Sequence, residues 1–327
     1  MLLGQVIEDY LALTDTKIAR GKEKATYNEI VRKMRNGLTT VFGKVMAKDL
    51  TNQMLIDFVL EKGKKNAPAT VAKTIVYLKA AVKKAVRAKK IPVTTEFAFD
   101  GIKIGQLLGD VNRPREFVLT PEQYRGLIEN APNEKYCSIF EILAHTGMRK
   151  GELNGITWGD VDLEKDVVTL RAEITKASQT REVPLNIHAS GAFRRVMGRW
   201  VKTEDKASVK VFGFAKNIWD GKVLQQTCEK AGIPYGSNSG GLGYHTFRHS
   251  FITHSELDAW VPPAIVRAIT GHTSDKSDAH NNYVHPTPEN LRRGINQWTQ
   301  WWDANVATRK NVDDTLDIAN PKVVKIR

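Results

Sequence analysis

The stretch His245-Thr-Phe-Arg-His249 sets two imidazoles and a guanidinium within five residues, with no carboxylate among them. On a helix, residues three and four apart are neighbours, so His245, Arg248 and His249 are expected to share one face. Three donors converging without an acid suit an anion, and phosphate is the first candidate. Zinc is the competing explanation for histidines four apart. The glutamate of an HExxH helix is missing and Cys228 has no suitably spaced partner, so no metal is expected. Six of the eight histidines nevertheless fall between His245 and His285, the least random feature of this half of the chain.

Other segments carry reactive side chains in the same region. In order they are HTGMRKGEL, TKASQTREVPL, HTFRH, GHTS and NNYVHPTPENL. Five such segments in this order resemble the catalytic segments of the tyrosine recombinase (phage integrase) family. The resemblance covers Val118 to Leu291. It implies an enzyme of site-specific DNA strand exchange that clamps its duplex between two domains.

Carried over residue by residue, the resemblance implies that Arg149 and Arg248 bind the non-bridging oxygens of the scissile phosphate, where planar paired donors neutralise charge and hold phosphorus for in-line attack. Away from that context, each arginine would be read as a structural salt bridge. Glu152, one turn after Arg149, fits two descriptions equally: the family's acidic position that steadies the site, or a surface i,i+3 ion pair. Lys176 matches the family's β-hairpin lysine and is implied to be the general acid that protonates the departing 5′ oxygen. The bland alternative is a solvated lysine at a hairpin tip. Arg181 is a poor substitute because its pKa is too high to release a proton. His245 and His272 match the family's two remaining positions; whether either imidazole accepts the phenolic proton or stabilises the phosphorane stays open. His249 is expected to be structural, and His254, His280 and His285 receive no role.

Tyr283 is the implied nucleophile. A phenol attacking phosphorus gives a 3′-phosphotyrosine and a free 5′-hydroxyl, which keeps the bond energy in the protein link so that another 5′-hydroxyl can reseal the strand. Neither ATP, metal nor any other cofactor is required. The interval from His272 to Tyr283 is slightly longer than is usual in the family, which suits a nucleophile positioned by DNA or by a neighbouring subunit.

The elements that would present these groups begin with a basic region. The chain of 327 residues has a net charge of +13, and residues 1 to 103 hold 20 Lys and Arg against 10 Asp and Glu. Lys62 to Lys90 contains ten basic residues and no acid, a field that favours a polyanion such as nucleic acid over a merely solubilising surface. From Val71, apolar residues recur at Ile75, Leu78, Val82 and Val86 as a helical stripe, while Lys79, Lys83, Arg87 and Lys90 follow the same spacing on a different face. With Lys73 and Lys84, these are the expected DNA contacts, one face packing on a core and the other tracking phosphates.

Residues 1–95 therefore read as a helical core-type DNA-binding domain and 96–117 as a linker. Thr120-Pro-Glu-Gln123 is a helix-start signal with a capping box, which opens a catalytic domain over 118–290. In it SIFEILAHTGMRKGELNGI has a helical pattern, and VVTLRAEI and REVPL read as strands. The expected fold is mainly α with a small antiparallel β-sheet. Residues 291–327 form a C-terminal helix and tail; Leu291, Ile295, Trp298 and Trp302 make an aromatic stripe that either packs on its own domain or is exchanged between protomers.

The expected partners are double-stranded recombination sites, three further copies of the chain in a tetramer on two duplexes, and an accessory DNA-bending or directionality factor. The start MLLGQVIEDYLALTD lacks the basic region of a signal peptide, no run approaches a membrane span, and two unpaired cysteines fit a reducing compartment, so a cytoplasmic, nucleoid-associated protein is expected. The basic domain begins almost at Met1, leaving no room in this sequence for the arm-binding domain of larger phage integrases. Integration or excision of a mobile element is the favoured role, ahead of chromosome-dimer resolution of the Xer type. A type IB topoisomerase and a non-catalytic DNA-binding relative are the other readings.

Overall fold

The computed structural model describes residues 1–19, 25–109, 117–200, 207–212, 221–236, 240–272 and 285–306. The chain divides into two compact units, Met1–Pro114 and Arg115–Arg327. Among the described residues, no helix is long and apolar enough to cross a membrane.

The first unit is helical: α1 (Leu3–Ala19), α2 (Ala25–Phe42), α3 (Asn52–Gly63), α4 (Pro68–Arg87) and the short α5 (Ile104–Leu108). Thr51 caps α3 by accepting the Met54 N–H, and Pro68 starts α4 at the position where its missing N–H costs nothing. The apolar stripe of α4 is buried at Val71, Ile75, Leu78 and Val82, packed with Leu3, Ile7, Leu38 and Phe42. On its other side Lys73, Lys83, Lys84 and Arg87 are exposed. Two of the expected DNA contacts have partners within the unit: Lys90 Nζ donates to Asp9 at 2.7 Å, and Lys79 lies over the Phe99 ring at 5.8 Å.

The segment read as a linker is, in its first half, part of this unit. A 3-10 helix spans Val93–Phe99, Ala98 and Phe99 enter the core, and Leu107 and Leu108 pack against it. Asn52 Nδ2 donates to the carbonyls of Ala98 (3.0 Å) and Asp100 (2.8 Å), satisfying backbone that a free linker would leave to water. Periodicity missed this stretch because a 3-10 turn and a five-residue helix are too short to show one.

The second unit opens on α6 (Pro121–Glu129), where the Thr120–Gln123 capping box is formed in both directions, at 3.3 and 3.0 Å. The long helical pattern that follows is broken in two. Helix α7 (Glu134–Thr146) ends at Gly147, whose left-handed φ of +60° turns the chain into α8 (Lys150–Gly155). A three-stranded antiparallel sheet comes next, β1 (Val161–Asp162), β2 (Val167–Leu170) and β3 (Arg181–Pro184), in spatial order β1-β2-β3 with Leu170 opposite Arg181. The first strand-like run is shorter than its sequence suggested, since Ala172–Ile174 curls into a 3-10 turn. Helices α9 (Ile187–Trp200), α10 (Gly221–Lys230), α11 (Tyr244–Leu257), α12 (Pro263–Thr270) and α13 (Pro288–Asn305) complete the unit, so the fold is mainly α with one small antiparallel sheet.

Helix α13 is built into this unit. Ile295, Trp298 and Trp302 are buried; Trp298 meets Phe251 at 5.2 Å between centroids and Trp302 meets Tyr124 edge-on at 4.3 Å. Trp298 Nε1 and Asn186 Nδ2 both donate to Nδ1 of the buried His145, at 3.3 and 2.9 Å. Burial, with a smaller contribution from the neighbouring His188, holds the His145 pKa well below its ordinary value, so the ring is neutral and accepts at Nδ1. Residues 291–306 of the segment considered for exchange are thus held by their own unit, and 307–327 lie outside the described residues. Trp298→Ala is expected to cost roughly 3–5 kcal/mol, because it empties a ring-sized volume and removes one of the two donors to His145. Equilibrium denaturation measures this loss.

Candidate active site

Two helix ends and one strand start bring the charged groups together. The backbone N–H of Arg149, which immediately precedes α8, is accepted by Glu152 Oε2 at 2.8 Å, tying the residue to the first turn of its own helix. Its side chain then folds back, Nη1 donating to Glu152 Oε1 at 2.9 Å and Nη2 to the carbonyl of Gly271 at 3.4 Å. From the start of β3, Arg181 reaches the same carboxylate with both terminal nitrogens, at 3.1 and 2.8 Å, while its Nε donates to the carbonyl of Ile269 at 3.0 Å.

Glu152 is 1% exposed, which removes the surface ion-pair description. Burial alone would raise its carboxyl, but the Arg181 fork and the backbone and side-chain bonds from Arg149 outweigh this and hold its pKa below the usual value. One carboxylate faces two guanidiniums, so the group carries excess positive charge.

Arg248 adds to that excess. It projects from α11 into the interior, 1% exposed, and Nη1 donates to the carbonyl of Gly147 at 2.8 Å. Its Nε and Nη2 are buried without a hydrogen-bond partner among the described residues. Burial first, then repulsion from Arg149 and Arg181 partly offset by Glu152, pushes its pKa down to about 9. Buried cationic donors without an acceptor are costly, and an anion delivered to them would relieve both the missing bonds and the repulsion.

Two glycines set these geometries. Gly147 and Gly271 end α7 and α12 in the left-handed region, φ +60° and +63°, and each turns a carbonyl towards one of the arginines expected at the phosphate. A Cβ on Gly147 would lie 2.6 Å from the Phe251 ring, and one on Gly271 would lie 2.7 Å from Arg181 Nη1.

His272, next after Gly271, is exposed at the rim. Partial desolvation, followed by the positive charge of Arg248, Arg149, Arg181 and Arg267, lowers its pKa, so at neutral pH the ring is uncharged and able to accept a proton. The three residues of the opening stretch do not behave alike: Arg248 points inward, His245 is exposed, and His249 is half-buried with Nδ1 3.2 Å from Thr253 Oγ1. His254 is structural, bridging Asp258 and the Leu119 carbonyl. Lys176 is exposed in the β2–β3 connection, directly after Thr175, whose hydroxyl closes the turn by donating to the Gln179 carbonyl (2.9 Å) and accepting the Gln179 N–H (3.1 Å). Tyr283 lies outside the described residues. Among the described residues, no group of three His, Cys, Asp or Glu is placed to hold a metal ion.

The structure therefore joins Arg149, Glu152 and Arg181 by direct bonds and sets Arg248 and His272 in their field. Sequence reasoning passed over Arg181 as anything but a poor acid. Its signal was positional: the first residue of a strand, directly after the turn that bears Lys176.

Removing the Glu152 carboxylate leaves two clustered cations without their acceptor, so Glu152→Ala is expected to destabilise the fold by roughly 3–5 kcal/mol. Because the folded-state pKa is lowered, the stabilisation is complete above the ordinary glutamate value of 4.5 and disappears as the pH falls through the folded-state value. Urea midpoints of the wild type and Glu152→Ala, measured from pH 7 downward, should converge in acid.

Known proteins resemble this chain in sequence and in fold. A sequence model of the phage integrase family matches residues 118–290. Tyrosine recombinase XerA of Pyrococcus furiosus is 27% identical over 187 residues, covering 54% of this chain and 60% of that protein, and XerD of Mycobacterium tuberculosis is 29% identical over 176 residues, covering 48% and 53%. The chain thus matches only about half to three fifths of these relatives' own lengths. Among solved structures, the Tn1549 transposon integrase in complex with circular intermediate DNA is similar with a TM-score of 0.66 at 21% identity, over 90% of this chain and 99% of that one. A lambda integrase dimer bound to a COC′ core site is similar at 0.64 and 13% identity, over 88% and 100%. These structural likenesses show the fold, and the family match over more than half of the sequence shows the membership: the chain belongs to the phage integrase family.

Proposed function

We propose that this protein is a site-specific DNA recombinase that cuts and rejoins strands through a 3′-phosphotyrosine at Tyr283. The observation that carries the reading is the buried Arg248 guanidinium, two of whose nitrogens lack an acceptor among the described residues, in the field of Arg149 and Arg181 with Glu152 as counter-charge. Planar forked cations of this kind suit the non-bridging oxygens of a phosphodiester, and they suit its pentavalent transition state better because more charge resides there.

In the proposed step the Tyr283 oxygen forms a bond to phosphorus as the bond to the 5′ oxygen breaks. The phenolic proton passes to a neutral histidine, for which His272 has the required charge state and His245 is the other candidate. Lys176 gives a proton to the 5′ oxygen, and the reverse reaction with another 5′-hydroxyl reseals the strand. The exposed Lys73, Lys83, Lys84 and Arg87 of α4 supply sequence-independent phosphate contacts. The partner is double-stranded DNA, with a tetramer of the chain on two duplexes as the working assembly and an accessory DNA-bending or directionality factor setting its direction. Support for the assembly comes from lambda integrase, whose tetramer has been solved on a Holliday junction.

Integration or excision of a mobile element is the favoured role, supported by the likeness to a transposon integrase across both units. Resolution of chromosome dimers is the second reading, favoured by the Xer names of the matched relatives. A long linker would weigh against that second reading, but much of the expected 96–117 linker packs with the first unit, from Ala98 to Leu108.

Nicked suicide duplexes drawn from the DNA flanking the coding sequence test the reading. The wild type should form a denaturant-resistant adduct at an unchanged rate in chelator, and Tyr283→Phe should form none while still retarding the duplex; an adduct in Tyr283→Phe reassigns the nucleophile, and none in the wild type removes the activity. For the free enzyme, the acid limb of adduct formation at subsaturating protein should fall below the ordinary histidine value of 6.5 if His272 is the base. His272→Asn should abolish that limb.

A further inference from the structure

The connection that bears Lys176 is fastened to α8 at three points. At its near end, Arg171 donates from Nε to Asp160 at 2.8 Å and from Nη2 to the carbonyl of Gly155, the last residue of α8, at 3.3 Å. In the middle, Ile174 approaches Gly155 so closely that a Cβ there would lie 2.7 Å from its Cγ2. At the far end, Arg181 forks onto Glu152. Only the last of these contacts also reaches α12, through the carbonyl of Ile269. Arg181 thereby links the turn of the expected acid, the helix that begins beside Arg149 and the helix that ends beside His272. Its side chain is 13% exposed, and all three guanidinium nitrogens are used in this linkage.

We propose that Arg181 is a positioning residue for strand cleavage, holding the Lys176 turn in register with the Arg149–Glu152 helix so that the ammonium reaches the departing 5′ oxygen. The inference rests on the reading of Lys176 as the general acid. It follows from geometry: a lysine on a surface turn has many rotamers, and proton transfer needs one distance. A displacement of about 1 Å at a reacting group costs on the order of 100-fold in rate. In the step concerned, phosphorus gains the Tyr283 oxygen and loses the 5′ oxygen, which takes a proton from the Lys176 ammonium and leaves as a hydroxyl; the lysine is left neutral.

The test separates a misplaced acid from a damaged phosphate site. Adduct formation is timed in single turnover on the suicide duplex with its natural 5′ oxygen, and on the same duplex with sulfur in that bridging position. A thiolate departs without a proton, since the thiol pKa is about 8.5. On oxygen, Lys176→Ala is expected to be slower by about 100-fold or more and Arg181→Gln by roughly 10- to 100-fold. On sulfur, both are expected to return to within about threefold of the wild type, because the acid is no longer needed.

If Lys176→Ala recovers on sulfur and Arg181→Gln stays equally slow on both substrates, Arg181 acts on the phosphate site or the fold and the inference fails, while the Lys176 reading stands. Wild-type rates for Arg181→Gln on oxygen also overturn it. If Lys176→Ala does not recover, the Lys176 reading itself fails and takes the inference with it. Thermal unfolding checks each variant. Should Arg181→Gln not fold, Arg171→Gln decides the matter, since it loosens the same turn without touching Glu152: recovery on sulfur supports the clamp, and an equal loss on both substrates overturns it.

Discussion

A buried carboxylate shared by two guanidiniums organises this molecule. Glu152 accepts hydrogen bonds from the Arg149 backbone, the Arg149 side chain and both terminal nitrogens of Arg181, and it does so with almost no solvent access. Lone buried ions are expensive and are tolerated when geometry and hydrogen bonding compensate them. Here compensation is deliberately incomplete in charge: two cations meet one anion, and Arg248 stands nearby as a third. The remaining imbalance is positive, so the interaction that stabilises the fold also leaves a cationic cradle that an anion would neutralise.

The same carboxylate explains how distant segments are kept in register. Arg149 precedes α8, Arg181 begins β3, and the carbonyls they also use belong to the end of α12. A short helix, a hairpin and a helix terminus share one apolar core through Leu153, Val183 and Ile269, but such non-directional contacts do not by themselves fix register. Charged forks with directional bonds supply that fixity at little cost in volume. The apolar core contributes at longer range. Phe247 and Phe251 anchor α11 so that Arg248 points inward, and Trp298 and Trp302 anchor α13 on the same core.

Much of this was legible in the chain. The capping box at Thr120, the stripe on α4 and the α-rich fold follow from local rules that tertiary structure did not override. The six positions expected to be catalytic were read from ordered motifs, and one of them, Tyr283, lies outside the described residues. What escaped has a physical reason in each case. Val93–Phe99 and Ile104–Leu108 are too short for a period. Glu152 could be read as a surface pair because its second partner, Arg181, lies 29 residues away and no helical spacing reveals it. The inward turn of Arg248 depends on α11's packing against α7, which a five-residue motif does not encode. The aromatic stripe of α13 was visible, but its cover was not, since an amphipathic face does not say whether its own chain or another supplies the partner.

The two left-handed helix ends carry a consequence for inheritance. Gly147 and Gly271 contribute no side chain, yet each aims a backbone oxygen at one arginine and leaves room that a methyl group would occupy. Substitution is therefore strained at two positions that carry no reactive group. A codon change that merely adds carbon there would strain a left-handed backbone and crowd Phe251 at one end or the Arg181 fork at the other, and no tally of reactive groups would reveal why.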